Sequence, residues 1–299
     1  MIEVSDLTRR YGDFAAVNNV SFTIHPGEVV GLLGHNGAGK TTIMKMLTGY
    51  LEPSSGTVAL DGIDVWSDPQ RVQEQMGYLP ENSPLYPELS VVEYLSYAAK
   101  LRGLVPEECV GEAISATALQ EKVLEPIATL SRGYKQRVGV AQAILNTPKF
   151  LILDEPSNGL DPTQIQHMRD LIRRLAEHAT IILSTHIMQE VSAVCDRVII
   201  LRDGEVAVDE RLDALQGADG LRLTTRKDLV IDSLLTTLDC VSSIIPEAAG
   251  VWQIGVVGSE QVAASEIAKS LVSAGFPIYG LTPQVRDLEV VFKEVNDAT

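Results

Sequence analysis

Cysteine is scarce: the 299 residues hold three, Cys109, Cys195 and Cys240, odd in number and far apart. That excludes a disulfide framework and a thiolate metal cluster, and it fits reduced thiols in a cytosolic protein. Long apolar runs are missing as well. No stretch of about 18 uncharged apolar residues occurs, so the sequence offers no membrane-spanning helix and any membrane role needs a partner. The opening "MIEVSDLTRRYG" has no apolar segment behind a basic start and does not read as a signal peptide. Positive charge is in short supply: 24 Lys and Arg stand against 40 Asp and Glu, a formal net charge of −16. With no basic run to offset this balance, it argues against a nucleic-acid partner. Core-forming material is abundant, at 45% hydrophobic against 21% charged residues, so disorder is excluded. The length suggests one large and one small domain.

Short strand-like runs alternate with turns in the first third, ending in the apolar run Val29 to Leu33. A helix follows over "KTTIMKMLTGYL", before Pro53, and "SSGTVALDG" returns to strand. From about Pro84 to Pro148 the signals are helical. Ser90 and Glu93 form a capping box, Gly103 closes that helix, a second helix runs near Pro106 to Leu119, and a third follows Ser131. Strands then resume at "FLILDEP", "TIILSTH", "RVIILRDGE" and "VAVDE", with helices near Pro162 to His178 and up to Cys195. The pattern is an α/β core with a helical insertion. A composition change at "LQGADG", Leu215 to Gly220, marks a boundary between domains 1–215 and 216–299. Beyond it we read a strand at Leu221, a helix at Lys227, strands near Val241 and Val251, a helix at Ser259, a strand near Ile278 and a last helix at Asp287. That order resembles a small α+β, ferredoxin-like module with one helix added.

Three stretches carry chemistry. "GLLGHNGAGKTT" sets Gly34, Gly37, Gly39, Lys40 and Thr41 between an apolar strand and a helix. Glycines let successive N–H groups turn inward around an anion. Lys40 adds a cation for β- and γ-phosphates, and the Thr41 hydroxyl is a ligand for Mg²⁺. "FLILDEP" ends a buried strand on Asp154 and Glu155. One carboxylate of such a pair can hold the metal while the other orients or deprotonates a water for in-line attack. "LSRGYKQR" opens a helix with a hydroxyl, a cation and bare backbone at Ser131, Arg132 and Gly133, which is equipment for an anion.

In order along residues 1 to 215, these motifs resemble the ATP-binding subunit of an ABC transporter. Tyr11 is similar to the aromatic that stacks on adenine. Gly34, His35, Asn36, Gly37, Ala38, Gly39, Lys40, Thr41 and Thr42 match Walker A, and "MGYLPEN" falls at the Q-loop. "LSRGYKQR" matches the signature, "FLILDEP" Walker B, "SNGLDP" the D-loop and "STH" the H-loop. The resemblance implies a P-loop ATPase core with a mixed sheet and a helical subdomain over about 84–148. It implies ATP and Mg²⁺ as cofactors, Glu155 as base, Asp154 on the metal and His186 at the γ-phosphate. Ser131, Arg132 and Gly133 would hold the γ-phosphate of a nucleotide bound by the opposite subunit, and Asp161 would cap a helix and communicate across that interface. The implied partners are a second nucleotide-binding subunit, the same chain in a homodimer or a different one in a heterodimer, and a membrane permease. The location is then the inner face of the cell membrane, with membrane contact only through the permease.

Two motifs depart from the family pattern. Glu81 stands where the family has the Q-loop glutamine; its oxygen can still ligate Mg²⁺ but adds negative charge beside the phosphates. Arg132 and Tyr134 replace the usual glycine and glutamine of the signature, as in a branch serving ABC-2 type exporters, gliding-motility and copper-site maturation systems among them. A soluble ABC ATPase uncoupled from transport, as in cluster assembly, stays open as the alternative. A plain P-loop kinase is a weaker rival, since it has no use for the signature.

Overall fold

The computed structural model of the chain describes residues 1–215, 218–227, 231–285 and 288–297. It separates into two compact units, Met1–Leu212 and Asp213–Glu294, with the end of the chain from Val295 counted in the first. In the first unit, β1 (Ile2–Tyr11) and β2 (Phe14–Ile24) form an antiparallel hairpin, extended by β4 (Ser55–Leu60) and β5 (Ile63–Asp64) into a four-stranded sheet. A six-stranded sheet holds β3 (Val29–Leu33), β6 (Met76–Leu79), β7 (Phe150–Asp154), β8 (Thr180–Ser184), β9 (Arg197–Arg202) and β10 (Glu205–Arg211). Its order is β10-β9-β3-β8-β7-β6, parallel throughout except for β10. Every residue of β3, β7 and β8 is buried, which explains why these strands read as unbroken apolar runs rather than alternating ones.

Helix α1 (Lys40–Leu47) follows β3, and α2 (Pro69–Glu74) precedes β6. The helical segment holds α3 (Val91–Leu101), α4 (Pro106–Ala116), two single 3₁₀ turns and α5 (Arg132–Ala143). Ser90 and Glu93 complete the expected capping box, and Gly103 closes α3 at φ +70°. Val91, Leu95, Ala99, Val110 and Ile114 share one apolar core with Val138 and Val140 of α5. Helix α5 lies so close on β6 that a Cβ on Gly77 would stand 2.2 Å from the Ala143 carbonyl oxygen. Helices α6 (Pro162–Ala176), α7 (Met188–Val194) and the single turn α8 (Leu212–Leu215) complete the series.

Two expectations need correcting, and two short elements had no counterpart in the sequence reading. Helix α1 stops at Leu47 instead of running on to Leu51, because Gly49 takes φ +71° and turns the chain away. Helix α2, capped by Asp68 with Pro69 at its first position, and the four-residue β6 are both too short to show a period. Residues 84–89 form loop and turn rather than helix.

In the second unit, β11 (Ala218–Thr225), α9 (Asp232–Leu235), β12 (Val241–Ala248), β13 (Val251–Val256), α10 (Glu260–Ser273) and β14 (Ile278–Val285) follow one another, and α11 (Leu288–Asp297) ends the series. All strand pairs are antiparallel in the order β12-β13-β11-β14, which is the ferredoxin-like arrangement. Leu221, Leu223 and Ile254 of the sheet pack with Ile267 and Leu271 of α10. The helix expected at Lys227 is a single turn from Asp232. Residues 216–217 of the expected boundary, 228–230, and Asp287 of the last helix lie outside the described residues.

Candidate active site

Four loops leave the C-terminal ends of neighbouring parallel strands: the glycine-rich loop after β3, Glu155 after β7, His186 beyond β8, and Glu81 beyond β6. Parallel sheets gather ligand-binding groups at this end. In the glycine-rich loop, His35, Asn36 and Gly37 are exposed, while Gly34, Ala38 and Gly39 are buried and Thr41 and Thr42 half-buried. Gly37 and Gly39 take φ +89° and +103°, and a Cβ on Gly39 would stand 2.6 Å from the Ala16 carbonyl oxygen of β2. Only glycine fits there. Lys40 is buried and donates from Nζ to the carbonyls of Gly34 (2.7 Å) and His35 (3.2 Å), curling over the loop it follows. Burial pushes its ammonium down, and the carboxylates of Glu155, Asp154 and Glu81 push it back up. Glu81, exposed on its loop, thus belongs to the same electrostatic field as the other two.

β-Sheet register places Asp154 beside Ser184. The Ser184 hydroxyl donates to Asp154 Oδ1 and accepts from the Glu155 N–H at 3.0 Å, so one side chain ties both carboxylate residues. The backbone of Glu155 is at φ +50°, in the left-handed region, which costs a residue with a Cβ about 1–2 kcal/mol. Gln136 Nε2 of α5 also donates to the Glu155 carbonyl, at 3.4 Å. The Glu155 side chain is nearly buried, and its Oε2 lies 2.9 Å from Nδ1 of the exposed His186.

Asp154 is fully buried, and its Oδ2 has no hydrogen-bond partner. A bare anionic oxygen inside a protein is expensive, so this donor set fits a cation. Among the described residues no cluster of three His, Cys, Asp or Glu could hold a metal unaided. Mg²⁺ needs none, because it keeps waters and shares phosphate oxygens with one or two protein ligands.

The signature residues make a separate group. The Ser131 hydroxyl caps α5 by accepting from the Tyr134 N–H at 3.4 Å. The Tyr134 ring sits between Lys122 Nζ and the Arg137 guanidinium, each 5.5 Å from its centroid. Gly133 abuts the Gln164 side chain, and the exposed Arg132 lays its guanidinium on Gly159, whose φ is +71°. Asp161 caps α6 in a capping box with Gln164, accepting from the Gln164 N–H at 2.9 Å. Ser131, Arg132, Gly133 and Asp161 therefore meet each other's neighbours. Tyr11 ends β1 opposite Phe14, is 51% exposed, and has the Arg9 guanidinium 4.8 Å from its ring. Its hairpin touches the glycine-rich loop through Ala16.

Ser184, Gln136, Thr185 and Glu190 escaped sequence reasoning. Ser184 and Thr185 stood inside "STH" and Gln136 inside "LSRGYKQR", so the motifs were the signal; Glu190 had none.

An α/β cassette with a phosphate loop, a carboxylate pair at a strand end and a capped signature helix is a P-loop ATPase of the ATP-binding-cassette class. The ABC transporter family model matches residues 17–158. The chain is 32% identical to the uncharacterized ABC transporter ATP-binding protein YdbJ of Bacillus subtilis (strain 168), covering 100% of this chain and 96% of that one. It is 35% identical to the bacitracin transport ATP-binding protein BcrA of Bacillus licheniformis, over 72% of this chain and 71% of that one. A bacterial ABC transporter cassette solved as a dimer superposes with a TM-score of 0.65 at 25% identity, over 71% of this chain and 98% of that one. The chain belongs to the ATP-binding subunits of ABC transporters; it binds and hydrolyses ATP to power transport. Its likeness to YdbJ runs through the second unit as well as the cassette.

Proposed function

We propose that two copies of this chain drive a membrane permease, each nucleotide being held between the phosphate loop of one copy and the signature of the other. The carrying observation is how the groups divide within one subunit. Lys40, Asp154, Glu155 and His186 converge at the sheet end, whereas Ser131, Arg132 and Gly133 form a capped helix start that meets Gly159 and Gln164. A half-site of this kind is complete only when a second copy supplies the other half, and a relative's cassette is dimeric.

In this reading the N–H groups of residues 34–42 and Lys40 bind the phosphates, and the exposed Tyr11 ring stacks on adenine. Thr41, Asp154 and Glu81 would hold Mg²⁺, which when bound would supply positive charge against the phosphates. Glu155, fixed by Ser184 and facing His186, takes the proton of the attacking water, and His186 bonds the γ-phosphate from its exposed side. Asp161 holds the turn that meets the other copy. The unit 1–215 is the motor, with 84–148 and the Glu81 loop carrying motion to the permease. The unit 216–299 regulates or supports pairing. Location on the inner membrane face follows from that partnership. Arg132 and Tyr134 support an ABC-2 type export branch, with gliding-motility and copper-site maturation systems; similarity to a bacitracin transport protein also favours export.

Glu155→Gln is the test. The variant is expected to bind ATP with unchanged affinity, hydrolyse it at least about a hundredfold more slowly, and elute as an ATP-dependent dimer. Near-normal turnover removes Glu155 from the role of base.

A further inference from the structure

His186 stands on a short turn between β8 and α7, and its two neighbours are pinned by one hydroxyl. Thr185 Oγ1 accepts from the Ile187 N–H at 3.1 Å and donates to Glu190 Oε2 at 2.9 Å. Glu190 belongs to the first turn of α7 and is 3% exposed. Ser157, buried two residues after Glu155, and the cation of Arg169 in α6 favour the charged form of the same carboxylate, whose Oε1 has no hydrogen-bond partner. One buried acid thus anchors the turn carrying His186. Such a carboxylate has no reason to be inside unless something is held by it.

We infer that Glu190 is a positioning residue for hydrolysis, setting the His186 ring against Glu155 through Thr185. The inference rests on the assignment of His186 to the γ-phosphate. Glu190 touches neither nucleotide nor water in this scheme; it fixes an angle, and small misplacements of a reacting group cost rate rather than binding.

The experiment measures kcat, KM and ATP affinity by calorimetry on the full chain for Glu190→Ala, Glu190→Gln, Thr185→Val and His186→Ala. Glu190→Ala is expected to lose about tenfold or more in kcat with ATP affinity unchanged within about twofold. Glu190→Gln, which keeps an acceptor oxygen for Thr185, is expected to recover most of that loss. Thr185→Val, which keeps the shape and removes the link, is expected to match Glu190→Ala and decides the matter if the alanine variant does not fold. Wild-type kcat in Glu190→Ala or Thr185→Val, or a loss of affinity in step with kcat, overturns the inference. Full activity in His186→Ala would instead sink the assignment of His186 beneath it.

Discussion

At the residue scale, the site is a set of polar groups inside the protein whose partners are mostly one another. Ser184 is the plainest case. Its hydroxyl serves Asp154 and Glu155 together, so Ser184→Ala strands a buried carboxylate oxygen, while the Glu155 N–H keeps the Ser184 carbonyl at 3.2 Å. We expect a loss of about 1–3 kcal/mol in urea unfolding, with slower turnover, while ATP still binds. Lys40→Ala is expected to abolish nucleotide binding by calorimetry; unchanged affinity would refute the phosphate-loop assignment. Glu190 carries a pH signature. Burial pushes its carboxyl up and the nearby Glu155 adds to that, against the Thr185 and Ser157 hydroxyls and Arg169. A raised value means that the folded chain holds the proton more tightly than the unfolded one. Its ionised form therefore subtracts stability at neutral pH, and the deficit fades as pH falls through the raised value. Glu190→Gln should melt above wild type near pH 7 and converge with it on acidification, as thermal scans would read. None of these second partners could be found by spacing, because each is defined by which strand lies beside which.

At the scale of elements, much was legible. The strands around the site are uninterrupted apolar runs, and the helices near it begin on Ser90, Ser131 and Asp161, residues that cap. The short pieces were not legible: four residues of β6 and six of α2 give no period to read. Yet β6 matters, since it puts the Glu81 loop beside the carboxylate pair and takes α5 on its surface. The close approach at Gly77 makes that joint sensitive. Gly77→Ala would force a methyl into the Ala143 carbonyl and part α5 from the sheet. A loss of about 2 kcal/mol or more is expected in denaturant titration, together with weaker ATP-driven pairing.

For the whole molecule, the proposed division of the reaction between the sheet end and the start of α5 is one that the sequence motifs announced only through resemblance. Turnover per molecule should therefore fall on dilution of the detached subunit and return on concentration. A rate independent of concentration far below any pairing threshold would contradict the shared site. The second unit showed its strand and helix order in the sequence, but not the extent of its first helix, read from Lys227 and only four residues long from Asp232. Removal of residues 216–299 is expected to weaken pairing or change its regulation; unaltered ATPase and unaltered dimer affinity would leave that unit a packing element.

The arginine lying on Gly159 has a historical corollary. A methyl on Gly159 would come within 2.4 Å of the guanidinium carbon, so the arginine must then swing away. The exposed arginine can yield in that way, but the φ of +71° at Gly159 disfavours a side chain by itself, so glycine should persist at 159 whether or not a lineage carries arginine at 132.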